Sequence, residues 1–390
     1  MTHAILSASG SERWLACPPS ARLEQEFENT TSQYAEEGRY AHTLAELHLQ
    51  HFLGTLTKRQ LNTRLKKLKE NDFYSQEMDD YIQAYIDIAI EKINTARARS
   101  EDALIFIEQR LDFSSWVPEG FGTGDLALIA DGAVEVVDLK YGKGVSVSAI
   151  ENTQMRLYGL GAYYTFDMLY DIRTVCMTIV QPRLDSISTE ECSAEELLSW
   201  GKNVVKPKAQ LAFEGKGEYA AGDHCQFCRA RHTCRTRAAT NLELAKYDFQ
   251  DPPLLSDEET ADVLSRAIEL QSWASDVQTY ALEQARDHDK KWPGWKLVEG
   301  RSNRQYVDKG TAAKALQAAG YKEDDIFEKV LLGITAMEKL LGKKRFAELL
   351  TKAELVVKPP GKPTLVPEND KRAELDPLAS AKEDFKKGED

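Results

Sequence analysis

The sequence lacks any apolar run long enough to cross a bilayer. Its first residues (MTHA) lack the basic region followed by an apolar stretch that is typical of a secretory signal. We therefore expect a protein without a membrane partner that stays in the cytoplasm, or in the host cytoplasm if a phage encodes it. No Gly-x-x-x-x-Gly-Lys-Ser/Thr loop occurs, which argues against an ATP-driven motor in this chain.

Cysteine is also scarce, with 6 residues among 390. In a reducing compartment such thiols are more often free or metal-bound than paired in disulfides. Cys225, Cys228 and Cys234 lie close together in the sequence. Two thiols separated by two residues are typical of a metal-binding knuckle, and a third strengthens the pattern. Spacing alone favours zinc, with His224 and His232 as possible further ligands.

The composition is that of a soluble globular protein, with 42 % hydrophobic and 29 % charged residues. A chain of this length can form one large domain or two ordinary ones. The net charge of −13 excludes a uniformly basic surface. It does not exclude nucleic acid, because local basic patches can hold DNA on an acidic protein. Two such patches occur, at 58–69 and 229–237; we interpret the first as a solvated helix face.

The hydrophobic pattern changes from helical to strand-like and back. Strand-like segments span about 103–111, 123–130, 133–140 and 174–181. Helical patterns occur at about 34–52, 74–98, 152–170 and 195–214, after an irregular segment at 1–29. This order predicts an α/β fold, in which helices flank a mixed β-sheet, and not a doubly wound array.

The later part of the chain differs in character. Residues 256–287 and 309–350 are mostly helical in pattern, which predicts a helical accessory region over 241–355. Residues 356–390 are rich in Pro, Lys, Glu and Asp, and we expect an extended or disordered tail there.

A short hairpin carries the most informative polar residues. The pair Asp131-Gly132 is typical of a tight turn, because glycine accepts the positive φ that the turn requires. With that turn, Asp125 and Asp138 pair directly across the two strands, with Cβ atoms roughly 4.5–5.5 Å apart. Lys140 points the same way as Asp138. The sequence therefore predicts two carboxylates and an ammonium on one side of a sheet.

Two carboxylates at that distance repel, so the arrangement needs a cation. Mg²⁺ or Mn²⁺ suits oxygen ligands, with waters in the remaining positions. The alternative is a surface hairpin on which Lys140 simply pairs with Asp138. Apolar neighbours such as Leu126 and Val137 indicate buried strands. They weaken the alternative, because buried charges without a function are costly.

Four short motifs follow one another along this part of the chain: Gly38-x-x-x-His42, Gly124-Asp125, Asp138-Leu139-Lys140 and Gln154-x-x-x-Tyr158. Their kind and order resemble the motif set of RecB-like nucleases in the PD-(D/E)XK superfamily. The resemblance implies a nuclease domain with a restriction-endonuclease-like core over residues 1–240. It also implies metal-dependent hydrolysis of phosphodiester bonds in DNA.

The same resemblance implies a role for each motif residue. The implied metal ligands are the side chains of His42, Asp125 and Asp138 and the carbonyl of Leu139. Lys140 would position or activate the attacking water and offset charge in the transition state. Gln154 and Tyr158, one helical turn apart, would support the site and contact the DNA strand. Glu108, on the preceding strand, is a secondary candidate.

The iron–sulfur branch of the RecB-like family has one cysteine before the nuclease core and three after it, with the terminal spacing found here. The resemblance implies a structural [4Fe–4S] cluster, in place of zinc, on Cys17, Cys225, Cys228 and Cys234. Such a cluster would tie the start of the chain to the end of the nuclease segment. Cys176 and Cys192 lie outside this pattern.

The missing ATP motor favours a stand-alone exonuclease that makes single-stranded ends for phage recombination or DNA processing, with a separate single-strand annealing or binding protein. Residues 292–301 and 358–367 resemble the C-terminal region of an uncharacterised family common in phages and prophages. Two alternatives remain: a nicking or structure-specific endonuclease that uses the same site, and a non-catalytic DNA-binding scaffold stabilised by its metal cluster. No feature of the sequence indicates an oligomeric state.

Overall fold

The structure is a computed structural model, and it describes residues 4–28, 33–244, 255–298, 308–327, 331–353 and 355–356. Contacts between residues divide the chain into two compact units, Met1–Asp289 and Lys290–Asp390. The predicted tail at 356–390 lies almost entirely outside the described residues. Within the described part of the chain, no helix combines the length and the apolar character needed to cross a bilayer.

The first unit is built on a five-stranded mixed sheet. Its strands, which lie in sequence order across the sheet, are β1 (Leu104–Asp112), β2 (Phe121–Ala130), β3 (Ala133–Leu139), β4 (Thr174–Gln181) and β5 (Ser186–Ser193). Only β3 and β4 are parallel, and helix α6 (Thr153–Tyr170) connects them. The predicted α/β class, with helices around a mixed sheet, is confirmed.

The hairpin between β2 and β3 has the predicted register. Ala130 pairs with Ala133 and Leu126 pairs with Val137, in antiparallel alignment. The turn residue Asp131 has φ of +32°, and Gly132 has φ of +73°. Positive φ at both central residues gives a turn whose twist matches that of the flanking strands. The ladder ends at Leu126 and Val137, so the predicted pairing of Asp125 with Asp138 lies one step beyond its last pair.

Helices cover the two faces of the sheet with separate cores. On one face, Leu157 and Leu160 of α6 belong to the same buried cluster as Val136 of β3. On the other face, α3 (Gln33–Phe52) and α5 (Gln76–Arg99) cover Leu126 and Leu128 of β2. We call these the α6 core and the α3/α5 core.

The remaining elements surround these cores. Helices of the first unit are α1 (Ser11–Ala16), α2 (Ser20–Leu23), α4 (Lys58–Leu68), α7 (Ala194–Trp200), α8 (Lys206–Glu214), α9 (Arg235–Leu242) and α10 (Asp257–Asp287). A π-helical turn at Gly201–Val205 lies between α7 and α8. The second unit contains α11 (Lys309–Ala318), α12 (Glu323–Ile326), α13 (Ile334–Leu341) and α14 (Lys343–Phe346).

Two features differ from the sequence-based expectation. The expected order ended at a fourth strand, but β5 follows it and pairs antiparallel with β4. Residues along β5 alternate between half-buried and exposed, which is typical of an edge strand, and its polar sequence (SISTEECS) hides the pattern. The segment expected to be irregular at 1–29 contains α1 and α2, and Trp14 of α1 is only 3 % exposed.

Candidate metal site

Three elements bring polar side chains close to one another. Helix α3 presents His42 at the border of its buried face, beside Ala41 and Leu44, which are fully buried. Strand β2 contributes Asp125, which is 8 % exposed, and β3 contributes Asp138, which is 3 % exposed. Carboxylates this strongly buried require compensating partners, because burial removes the water that would stabilise their charge.

The Asp125 carboxylate is held by two partners from different elements. Its Oδ1 lies 2.9 Å from Nδ1 of His42. Its Oδ2 accepts a hydrogen bond of 2.7 Å from the backbone N–H of Leu139, at the end of β3. The predicted ligand Leu139 therefore fixes the orientation of Asp125 through its amide.

Asp138 is held by a second group of side chains, Asp138, Lys140, Gln154 and Tyr158, which we call the lysine group. Nζ of Lys140 lies 2.9 Å from Oδ2 of Asp138 and donates to Oε1 of Gln154 at 3.1 Å. The amide nitrogen of Gln154 donates to Asp138 at 3.4 Å and to the Tyr158 hydroxyl at 3.1 Å. The predicted catalytic residues at the end of β3 and on α6 thus form one connected network.

The alternation of β1 and β2 breaks where the site begins. Glu108 has φ of +51°, a left-handed conformation that is uncommon for a residue with a side chain. On β2, a Cβ at Gly124 would point at Leu111 of the α6 core, yet Leu126, two residues later, belongs to the α3/α5 core. Both strands therefore interrupt the regular alternation of side chains between the two faces of the sheet at the opposed residues Glu108 and Asp125. Strained backbone of this kind is concentrated at functional sites.

This break brings Glu108 to His42 and Asp125. One potential ligand atom from each of the three lies within 4.8 Å of the other two, and no other such group of three occurs in the part of the chain that the structure describes. The set, which we call the metal group, could hold a metal ion. Asp138 is not part of it. Sequence reasoning gave Glu108 only a secondary place, although a lone carboxylate directly after the apolar run 104–107 was the available signal.

The metal group lies in a region of excess negative charge, and the pKa of both Glu108 and His42 is raised there. Burial and the nearby Asp125 raise the pKa of Glu108 to about 7, against the opposing effect of His42. Burial lowers the pKa of His42, but the attraction of Asp125 outweighs it and raises the pKa to about 9. In the absence of a metal, protons therefore take the place of a cation.

The lysine group shows the same competition. Burial raises the pKa of Asp138, although Lys140 opposes the shift. Burial lowers the pKa of Lys140, but Asp138 outweighs it, so the net change is upward and the ammonium keeps its proton. On α5, burial and the two aspartates raise the pKa of Tyr85 well above its ordinary value, so its hydroxyl also stays protonated.

The cysteines of the predicted cluster lie in two segments that meet. Cys17 follows α1, and α1 contacts the 3-10 turn Asp223–Phe227, which contains Cys225. His224 of this turn is hydrogen-bonded to Cys17. Cys228 donates its backbone N–H to the carbonyl of Cys225 at 3.0 Å. The fold therefore brings the upstream cysteine against residues 224–234, which we call the cysteine segment.

The chemistry of this donor set fits a metal or cluster that binds sulfur. Cys17, Cys225 and Cys228 are buried, Cys234 is half-buried, and all four are free thiols. Four thiolates on one zinc ion lie about 3.8 Å apart, given Zn–S bonds of about 2.3 Å. No three of the described thiols are mutually that close. A [4Fe–4S] cluster is not shown by these contacts either. The two other cysteines, Cys176 on β4 and Cys192 on β5, lie away from this segment in the sheet.

Comparison with known proteins adds little on function. A solved structure titled "Crystal structure of SSO0001" is 12 % identical and covers 59 % of this chain and 84 % of its own, with a TM-score of 0.25. A likeness that weak carries no argument. The match to a family is far more extensive, since it runs from residue 3 to residue 373. The chain belongs to the family described as "Protein of unknown function (DUF2800)".

Proposed function

We propose that the protein is a Mg²⁺- or Mn²⁺-dependent deoxyribonuclease of the PD-(D/E)XK superfamily, in its RecB-like branch with a restriction-endonuclease-like core. One observation carries the proposal: the metal group and the lysine group meet across a single hairpin. Asp125 belongs to the first and Asp138 to the second, and the amide of Leu139 links β3 to Asp125. Metal-assisted hydrolysis of a phosphodiester needs carboxylate ligands with a cation beside the reacting phosphate.

The proposed roles follow from the contacts. A bound divalent ion would polarise a phosphoryl oxygen and lower the pKa of a water. Lys140, held in its charged form by Asp138, would offset the negative charge that develops on the phosphate. Gln154 keeps Lys140 in place by accepting from Nζ while it donates to Asp138. Tyr158 anchors the Gln154 amide, so the ammonium has a fixed direction.

We further propose an exonuclease that acts in phage recombination or DNA processing, with a single-strand annealing or binding protein as its partner. DNA contact on so acidic a chain has to be local. Helix α4 offers exposed basic side chains, such as Arg59 and Lys66, whereas the basic patch at 229–237 is engaged in ion pairs through Arg231 and Arg237. The first patch is therefore the better candidate.

For the cysteine segment and Cys17 we propose a structural [4Fe–4S] cluster, with zinc as the alternative. The meeting of two segments that are far apart in sequence supports it, because a shared ligand is a common reason for such an approach. Protein purified without oxygen should show broad visible absorption and contain iron. A colourless protein with one equivalent of zinc would contradict the cluster.

Cleavage assays test the nuclease proposal directly. Full-length protein with Mg²⁺ or Mn²⁺ should degrade end-labelled linear duplex and leave closed circular DNA intact. Asp138→Asn should abolish cleavage. Asp131→Asn, on the exposed turn of the same hairpin, is the matched control and should retain it. Nicking of the circle would indicate the endonuclease alternative. If folded, metal-loaded protein binds DNA but cuts neither substrate, the scaffold alternative replaces the proposal.

A further inference from the structure

A small cavity lies between α3, α5 and the first two strands. Its walls include all three members of the metal group, together with Tyr85 of α5 and Leu139 of β3. Its volume is about 10 Å³, which is room for one water molecule or one ion. The ligand atoms of the metal group therefore border a space of the right size, and the lysine group does not line it.

Two polar side chains at this cavity, the buried Tyr85 and the half-buried Glu108, have no hydrogen-bond partner among the described residues. Tyr85 is 1 % exposed, and within the described residues its hydroxyl has no hydrogen-bond partner. Glu108 forms no hydrogen bond or ion pair with any described residue, whereas His42 and Asp125 bond to each other. An unpaired buried hydroxyl costs free energy, so its retention calls for an explanation at the site.

The chemistry of an ion in this cavity would satisfy both. A divalent ion held by imidazole and carboxylates usually keeps waters in its remaining positions. A water on the ion donates well, and the Tyr85 hydroxyl can accept from it or donate to a ligand carboxylate. Partners of this second layer fix the orientation of ligands and waters around an ion.

We propose that the cavity binds the divalent ion through His42, Glu108 and Asp125, and that Tyr85 is a positioning residue for an ion-bound water. This proposal explains the strained backbone at Glu108, because the left-handed conformation directs its carboxylate towards the α3/α5 side of the sheet. The inference deepens the proposed nuclease function by naming ligands and a positioning residue for the same site. It requires ion binding only, and not cleavage of DNA.

Binding of Mn²⁺ alone to the full-length protein, followed by electron paramagnetic resonance, tests the proposal. Tyr85→Phe removes one oxygen and should weaken Mn²⁺ binding on the order of tenfold. Glu108→Gln should weaken it further, because a direct ligand loses its charge. Tyr81→Phe is the matched control: it lies one turn earlier on α5, its hydroxyl is 3.5 Å from Glu77, and it should bind Mn²⁺ like the unaltered protein.

Thermal unfolding provides a readout that a merely structural role would not give. Tyr85→Phe should leave the metal-free protein as stable or more stable, because an unpaired buried hydroxyl is removed. The same change should reduce the rise in Tm that Mn²⁺ produces. A purely structural tyrosine would lower the two melting temperatures together, and that result would overturn its positioning role.

The remaining outcomes separate this inference from the nuclease proposal. If Tyr85→Phe and Glu108→Gln bind Mn²⁺ as tightly as the unaltered protein, the inference fails, even where DNA is cleaved. Failure of the unaltered protein to bind millimolar Mn²⁺ overturns it as well. If Mn²⁺ binding depends on both residues but no DNA is cut, the ion site stands and the nuclease proposal falls.

Discussion

The two candidate ligand sites of this chain are held together by different forces. The metal group and the lysine group rest on paired strands and on two apolar cores, so backbone hydrogen bonds and burial set their geometry. The cysteine segment contains no regular element longer than a 3-10 turn. Charged side chains hold it from both sides. The site formed by the metal group and the lysine group is therefore organised by the fold, whereas the cysteine segment depends on local polar contacts.

Glu24 fastens the cysteine segment to the N-terminal helices. Its Oε2 accepts from Nε of Arg13 at 2.8 Å, and its Oε1 accepts from the backbone N–H of Arg229 at 2.8 Å. Arg13 also donates to the carbonyl of Phe227. Glu24 and Arg13 together therefore join α1 to the residues on either side of Cys228.

Asp276 of α10 holds the C-terminal end of the cysteine segment. It accepts from Arg231 at 3.0 Å and from Arg237 at 2.6 Å, and Arg237, which is 1 % exposed, also pairs with Glu269. His232 stacks on Tyr280, with ring centroids 3.9 Å apart. No described residue of α10 is fully buried, and ion pairs and ring stacking contribute to holding this helix.

The largest expected effect is on catalysis. Lys140→Ala should lower the rate of duplex cleavage on the order of 10²–10³-fold, because the charge opposite the phosphate is lost while Asp138 loses its partner. Single-turnover assays at saturating Mg²⁺ measure it. Circular dichroism of the same sample checks folding. A rate within about twofold of the unaltered enzyme would remove Lys140 from the mechanism.

A smaller effect, on stability, probes the cysteine segment. Arg237→Ala should lower the free energy of unfolding by about 2 kcal/mol, which is below the usual 3–5 kcal/mol for a broken buried pair because its acceptors are partly exposed. Urea denaturation measures this, and exposed Arg235→Ala is the control. Mn²⁺ affinity should not change. Loss of Mn²⁺ binding in Arg237→Ala would break the separation between the two sites.

Metal affinity should rise about tenfold for each pH unit between pH 7 and pH 9. Below about 9, His42 carries a proton in the metal-free protein, and below about 7 Glu108 carries one too. Both must lose it to bind a metal, so affinity is high above these values and falls as the pH falls. Calorimetric Mn²⁺ titration between pH 7 and 8, inside this window, measures the slope. An affinity that does not change with pH would contradict the inference that protons take the place of the cation in the metal-free protein.

The smallest effect tests how far the hairpin organises the first site. Gly132→Ala should cost about 1 kcal/mol, because φ of +73° strains any residue with a Cβ. Gly38→Ala, on α3, meets no atom within 4 Å and should instead stabilise by about 0.5–1 kcal/mol. Melting temperatures of the two variants should therefore move in opposite directions. Equal shifts would show that the turn does not constrain the register.

Much of the first site could be predicted from local sequence. The turn signal at Asp131-Gly132 fixes the register by itself, and the spacing of Gln154 and Tyr158 places them on one side of α6. Glu108 could not be assigned in this way, because regular alternation after Phe106, which faces α6, would place it on that same face. Its left-handed backbone, with φ of +51°, instead brings it to His42. Edge strand β5 was missed for a related reason: one face lacks the burial that makes a strand recognisable.

By itself, the sequence determined the order of helices and strands, the hairpin register and the cysteine spacing, because these depend on turn geometry and on short-range periodicity. Tertiary structure alone decided which carboxylate joins the metal group: Asp125, and not Asp138, lies with His42 and Glu108. It also decided that the basic patch at 229–237 is engaged in ion pairs within the molecule. Such pairings depend on contacts between residues far apart in the chain, and no local pattern records them.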